Sequence, residues 1–152
     1  HKINNCIGQI LVARRMGMPY SYDQLDDPDY NMQVGSAYLG QLVGQFSGSY
    51  VMAAAAYNAG PGRPVEWSIL CGDPRSSSND PLNFIECIPF TETRDYVMRV
   101  MEATQVYRAR LNGGTAPLTL TADLKRGGYG SSVLQPTLTA GPPPNAMATS
   151  AP

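Results

Sequence analysis

Met32, Val34, Tyr38, Leu39, Leu42, Val43 and Phe46 recur at three- and four-residue spacing, the pattern of an amphipathic helix with one buried stripe. The pattern starts after the polar stretch DPDYN and fades near the glycine of FSGSY. Tyr50 to Tyr57 predicts a second helix, because its alanine run from Ala53 to Ala56 has the best intrinsic helix propensity. Those small side chains let another backbone approach closely, which places this helix centrally. Pro64 to Leu70 predicts a short third helix and Pro81 to Ile88 a fourth. The longest element follows, with Tyr96, Val97, Val100, Met101, Thr104, Tyr107 and Leu111 along one face. Thr91 suits its N-cap, Glu92 suits the positive end of its dipole, and Asn112-Gly113-Gly114 stops it. The fold class this predicts is all-α.

Beyond Gly114 the periodicity is lost. The stretch TAPLTLTADLKRGGYGSSVLQPTLTAGPPPNAMATSAP is rich in Pro, Gly, Ser, Thr and Ala, with little apolar surface to offset the entropy of ordering. This divides the chain into a helical domain over residues 1–112 and a mostly mobile tail over 113–152, of which APLTLTADL can dock as an extended strap. No internal repeat is visible.

Composition then narrows the function classes. The 152 residues are 43% hydrophobic and 15% charged, enough for one core and too few for two ordinary domains. The net charge is -1 and the 11 Lys and Arg are scattered, so no electrostatic footprint for nucleic acid or a membrane surface appears. No apolar run approaches the roughly 20 residues that span a bilayer. The chain opens on His1 without the segments of a signal peptide, which reads as a fragment or a processed product. Cys6, Cys71 and Cys87 lack metal-ligand spacing, and with His1 the only histidine neither a metal site nor a Cys-His or Ser-His nucleophile is expected. The three thiols read first as buried filler, while Cys71 and Cys87 can pair in an oxidising compartment.

Two clusters can carry chemistry. AYNAGPGR, residues Ala56 to Arg63, sets Tyr57, Asn58 and Arg63 around a glycine-proline-glycine turn where the alanine helix must end. PFTETRDYV places Glu92 and Arg94 in the first turn of the long helix and Tyr96 one turn on. Both have bland readings. Tyr57 and Tyr96 can be core, Asn58 can cap the turn, Glu92 can complement the dipole, and Arg94 can pair with an acid.

The segments DDPDYNMQVGSAYLGQLVGQFSGSY, AAAAYNAGPGRPVEW and DPLNFIECIPFTETRDYVMRVMEATQVYRARL, in that order, resemble the C-terminal catalytic domain of soluble lytic transglycosylases, over about Ala13 to Leu111. The resemblance implies a goose-lysozyme-like helical fold. It also implies cleavage between N-acetylmuramic acid and N-acetylglucosamine in peptidoglycan, leaving a 1,6-anhydromuramoyl end, in the periplasm and without a cofactor. The partners implied are glycan strands and their stem peptides. By the same resemblance, Tyr57 is the catalytic-site tyrosine whose hydroxyl enters the cleft, Asn58 and the glycine-proline turn hold that loop, and Glu92 and Arg94 contact the ligand. Phe90, Pro89 and Tyr96 shape the cleft wall and core.

One departure matters. The family's chemistry rests on a single glutamate, general acid and then base, in a Glu-Ser motif upstream of a Gly-Leu-Met-Gln segment. Neither motif is present: HKINNCIGQIL stands roughly where the second is expected, and no glutamate precedes Glu66. Asp23, Asp26, Asp27 and Asp29 fall in a polar loop where water keeps them ionised, and Glu66 reads as a surface residue. The expectation is a domain lacking its N-terminal catalytic helix, with little or no turnover. Its alternative is a non-catalytic peptidoglycan-binding or structural module. Without that helix the remaining face is exposed, so the chain should be less stable or associate.

Overall fold

The computed structural model describes residues 2–20, 24 and 26–127, with side chains from residue 8 onward. Among these residues the structure is helical and without strands: α1 (Lys2–Arg15), α2 (Pro28–Gln45), α3 (Tyr50–Ala59), α4 (Gly62–Cys71), α5 (Pro81–Cys87), α6 (Thr91–Leu111) and α7 (Leu120–Leu124). The expected mobile stretch beyond residue 127 lies outside the described residues, as does Asp23.

α3 sits in the middle, as its alanines predict, and runs to Ala59. Val51 to Ala56 are all buried. A short helix buried all round must be apolar all round, and VMAAAA is. One face, Val51, Ala54, Ala55 and Ala59, packs with Trp67, Phe84, Ile85, Ile88, Val97 and Met101 of the α4 to α6 half. The other, Met52, Ala53 and Ala56, packs with Val12, Tyr38, Leu42 and Phe46 of α1, α2 and the turn after α2. A larger side chain on either face would force the two halves apart, at a cost of about 1–3 kcal/mol for overpacking.

The helix starts follow local chemistry. Asp27, Ser49 and Asp80 accept hydrogen bonds from the amides of Asp29, Met52 and Leu82 at 3.0, 3.3 and 2.9 Å, and Pro28 and Pro81 occupy the first turns of α2 and α5. Thr91 does not cap α6. Phe90 holds that position without a side-chain bond, and Thr91 is the first helical residue. The stripe on α6 is also shorter than its spacing suggests: Val97 and Met101 are buried, but Tyr107 and Leu111 are exposed because the last turns of α6 run past the core.

α1 is the element that periodicity did not assign. Its Val12 and Ala13 are buried against α2 and α3, and Gly8 allows a close crossing: a Cβ there would lie 2.2 Å from Tyr38 Cζ. Arg14 and Arg15 in the last turn complement the dipole. Cys71 and Cys87 are not buried filler. They form a disulfide between the ends of α4 and α5 with Cα atoms 5.9 Å apart, and Cys87 is exposed. The Cys6 side chain lies outside the described residues.

The strap after α6 is not extended: Leu120–Leu124 form a helical turn on α6 and α3. Asp123 is 4% exposed and accepts from Arg108, from Gln105 Nε2 at 2.7 Å and from Thr119 Oγ1 at 3.0 Å. Arg126 stacks over Tyr50 at the start of α3, 4.3 Å from the ring centre. Burial acts to raise the Asp123 pKa, but the bonds from Arg108, Gln105 and Thr119 outweigh it and hold the carboxyl below its ordinary value.

Two expectations follow. A depressed folded pKa means that Asp123 contributes stability above its unfolded pKa, about 3.9, and loses it as pH falls through the lower folded value. Amide-exchange protection over 120–124 is therefore expected to hold at pH 5 to 7 and to fall below about pH 4; Asp123→Asn should lower it already at pH 7, by about 2 kcal/mol. Protection unaltered by both would remove the Asp123 network as the strap's anchor. The disulfide closes a loop of modest length, so the Cys71→Ser/Cys87→Ser variant is expected to lose about 3 kcal/mol by urea unfolding under non-reducing conditions. Unchanged stability, together with three free thiols in the parent chain by mass spectrometry where the bond leaves only Cys6 free, would contradict the bond.

Candidate active-site cleft

Tyr57 lies in the last turn of α3, two residues before the helix ends, and Gly60 N–H closes that turn on the Ala56 carbonyl at 2.8 Å. Its ring is held between two others. Tyr38 of α2 lies 5.6 Å away, centre to centre, at a tilt of 40°, and Tyr96 of α6 stacks at 6.3 Å and 6°. Offset stacks and tilted pairs are the favoured aromatic geometries, so three helices fix one ring. Burial first, and then the nearby Tyr57 phenol, raise the pKa values of Tyr38 and Tyr96. Both stay neutral near pH 7.

The Tyr57 hydroxyl accepts a hydrogen bond from Gln9 Nε2 of α1 at 3.3 Å. Next in sequence, Asn58 turns the other way: its Oδ1 accepts from Thr93 Oγ1 at 2.7 Å, and Thr93 is fully buried. This bond ties the end of α3 to the start of α6. Asn58 is thus a structural residue, but it bridges two helices and does not cap its own turn.

Two cavities flank this cluster. The first, about 450 Å³, runs along α2 and is lined by Asn31, Gly35, Ser36, Leu39, Tyr57 and Tyr96, among others. Among the described residues no acidic or basic side chain lines it. Aromatic faces with a few neutral hydrogen-bonding groups suit an uncharged, polyhydroxylated ligand such as a sugar. The second, about 510 Å³, opens between α1, α2 and the Gly60 to Arg63 turn, with Arg15, Gln41, Gln45, Arg63 and Glu66 in its wall. Tyr38 lines this second cavity while its ring touches the Tyr57 wall of the first.

Of the residues singled out from sequence, Tyr57 and Tyr96 meet at the first cavity. Glu92 is exposed in the first turn of α6 and Arg94 half-buried beside it, and neither lines either cavity. Arg94 Nη1 donates to the Glu86 and Ile88 carbonyls at 3.2 and 3.3 Å, which satisfies the end of α5 and fixes the α5–α6 corner. Arg63 pairs with Glu66 at 3.1 Å and lies 5.5 Å from the Phe90 ring centre. Glu66 keeps 62% of its side chain exposed. Gln9, Gly35 and Tyr38 were not singled out for the site. Their only sequence signal was a tyrosine on the buried stripe of α2 with a glycine one turn before it, a pattern that core packing also produces. Among the described residues no group of three or more His, Cys, Asp and Glu gathers as a metal site would require.

Residues 10–73 match the Transglycosylase SLT domain family, and residues 87–115 match the Soluble lytic transglycosylase helical domain. The soluble lytic murein transglycosylase of Escherichia coli (strain K12) is 41% identical over 85 residues, which is 56% of this chain and 13% of that protein. A putative soluble lytic murein transglycosylase of Haemophilus influenzae is 33% identical over 118 residues, 76% of this chain and 19% of its own length. Among solved structures, an inactive glutamate-to-glutamine variant of lytic transglycosylase Slt from Pseudomonas aeruginosa superposes with a TM-score of 0.55 at 38% identity, over 72% of this chain and 17% of that one. The chain thus spans less than a fifth of the length of these relatives. An all-α fold built round one buried helix, three motifs in register and matches on both sides of the α4–α5 loop agree: the chain belongs to the soluble lytic transglycosylases and spans a part of them that carries the SLT domain.

Proposed function

We propose that this chain is the glycan-holding part of a peptidoglycan lytic transglycosylase domain. The observation that carries the proposal is the cavity lined by Tyr57 and Tyr96 together with Asn31 and Ser36 of α2, without a charged side chain among the described residues. A sugar ring presents C–H faces to aromatic rings and hydroxyl or acetamido groups to polar side chains, and this wall offers both. The substrate in this reading is the bond between N-acetylmuramic acid and N-acetylglucosamine. The products are a free glucosamine end and a 1,6-anhydromuramoyl end, formed when the muramoyl 6-hydroxyl closes on the anomeric carbon in place of water. Tyr57 contacts the sugar at the reacting end. Glu92 and Arg94 line neither cavity, so in this reading they meet the strand or its stem peptides outside the Tyr57 cavity, at the first turn of α6.

The reaction needs a carboxyl group that protonates the glycosidic oxygen and then takes the proton of the 6-hydroxyl. Such a group must start protonated, which requires a site of low polarity. Among the described residues no carboxylate lines the Tyr57 cavity. Glu66 in the neighbouring cavity is mostly exposed and paired with Arg63, so it lacks the low-polarity surroundings that the acid needs. The 152-residue chain by itself therefore binds glycan without cleaving it, which is also what the binding-module reading requires. A murein ligand and a disulfide both fit the periplasm. No helix among the described residues is long and apolar enough to cross a membrane.

The test is a digest of purified sacculi with this chain, read by mass spectrometry of the soluble products, beside a sedimentation assay for bound protein. Co-sedimentation without anhydromuropeptides is expected, with binding reduced about tenfold by Tyr57→Phe, the loss of about one hydrogen bond to the ligand. Anhydromuropeptides that disappear in Glu66→Gln would identify Glu66 as the acid and overturn the inactivity; no co-sedimentation would overturn the glycan reading itself.

A further inference from the structure

The Tyr57 hydroxyl is approached from two sides by groups that the proposed function leaves without a role. Gln9 is 7% exposed, and its Nε2 donates to the Tyr57 oxygen. A phenol has one hydrogen to donate and an oxygen that accepts. With the Gln9 amide filling an accepting position, the Tyr57 hydrogen is directed elsewhere. On α2, Gly35 faces the same oxygen: a Cβ at residue 35 would stand 3.0 Å from it, tighter than ordinary van der Waals contact. The ring cannot swing aside, because Tyr38 and Tyr96 hold it. Gly35 and Tyr57 both line the 450 Å³ cavity.

We infer that Gln9 and Gly35 are positioning residues that set Tyr57 as a hydrogen-bond donor into this cavity, Gln9 by occupying its oxygen from behind and Gly35 by leaving clearance in front. The ligand group that meets Tyr57 is then an acceptor oxygen, an acetamido carbonyl or a sugar hydroxyl, and not a cationic donor such as an ammonium. Gly35 is required for the space that it leaves beside the hydroxyl; its backbone is ordinary helix within α2. The inference rests on the reading of Tyr57 as a ligand contact, and it adds two residues, from α1 and α2, that no motif marks.

Two readouts separate the inference from that reading. In the ligand-free chain labelled with ¹³C at the tyrosine ζ carbons, the Tyr57 resonance, identified by its loss in Tyr57→Phe, reports the hydroxyl directly. It should shift in Gln9→Met, which keeps length but removes the donor, and in Gly35→Ala, which alanine's helix propensity should help to fold. Binding of an N-acetylglucosamine tetramer, measured by calorimetry, should weaken about five- to tenfold in each single variant, about what one lost hydrogen bond produces. In the Tyr57→Phe background neither substitution should weaken it further, because all three act through one hydroxyl. A Tyr57 resonance unmoved in both variants, each folded by circular dichroism, would overturn the inference, and so would equal weakening in both backgrounds. If the resonance moves but Tyr57→Phe binds the tetramer as well as the parent does, the positioning stands and the ligand role of Tyr57 is what fails.

Discussion

The structure depends on how closely α3 can be approached. Its alanines bring α6 and α4 against one face and α1 and α2 against the other, so a single ten-residue helix is the shared wall of both halves of the core. Packing at interior density leaves such a wall little freedom. Whatever the last turn of α3 carries is consequently fixed relative to both halves at once. Tyr57 is the residue at that point. The disulfide, the Asn58–Thr93 bond and the Asp123–Arg108 anchor each restrain an element that packs on α3 or the segment next to it, and none touches the cavities directly.

The chemistry divides along the same wall. On the α2 side lies a neutral cavity with aromatic and amide groups, suited to holding a sugar and not to moving a proton. On the side of the Gly60 to Arg63 turn lies a charged one whose carboxylate is solvated and paired. Proton transfer to a glycosidic oxygen needs a carboxyl of raised pKa within hydrogen-bond reach, and raising it needs burial without a cationic partner. Glu66 is mostly exposed and paired with Arg63. Holding glycan and cleaving it make different physical demands, and the neutral cavity has the chemistry suited to the first.

Much of this was legible in the sequence because the relevant signals are local. α2, α3 and α6 follow from spacing and alanine content, α6 within its observed bounds, and the family followed from three motifs in order. What was not legible depends on contacts between distant residues. α1 is a stretch of mixed polarity that no motif marks, and its contacts with α2 and α3 are what bury Val12 and Ala13. Thr91 looked like a cap because of its type, but the chain turns one residue earlier, at Phe90. Tyr107 and Leu111 fit the period of α6 and still face solvent, since period cannot say where the core ends. Tyr57 was marked by its motif, whereas Gln9 and Gly35 reach its hydroxyl only because α1 and α2 cross α3.

The central claim, that the uncharged cavity beside Tyr57 is where glycan rests, is tested most directly by titrating the ¹⁵N-labelled chain with an N-acetylglucosamine tetramer and mapping the amide shifts. The account predicts shifts centred on Asn31, Gly35, Ser36, Tyr57 and Tyr96, on both sides of that cavity. Shifts confined to Arg15, Gln41 and Arg63 would place the sugar in the charged cavity and contradict it.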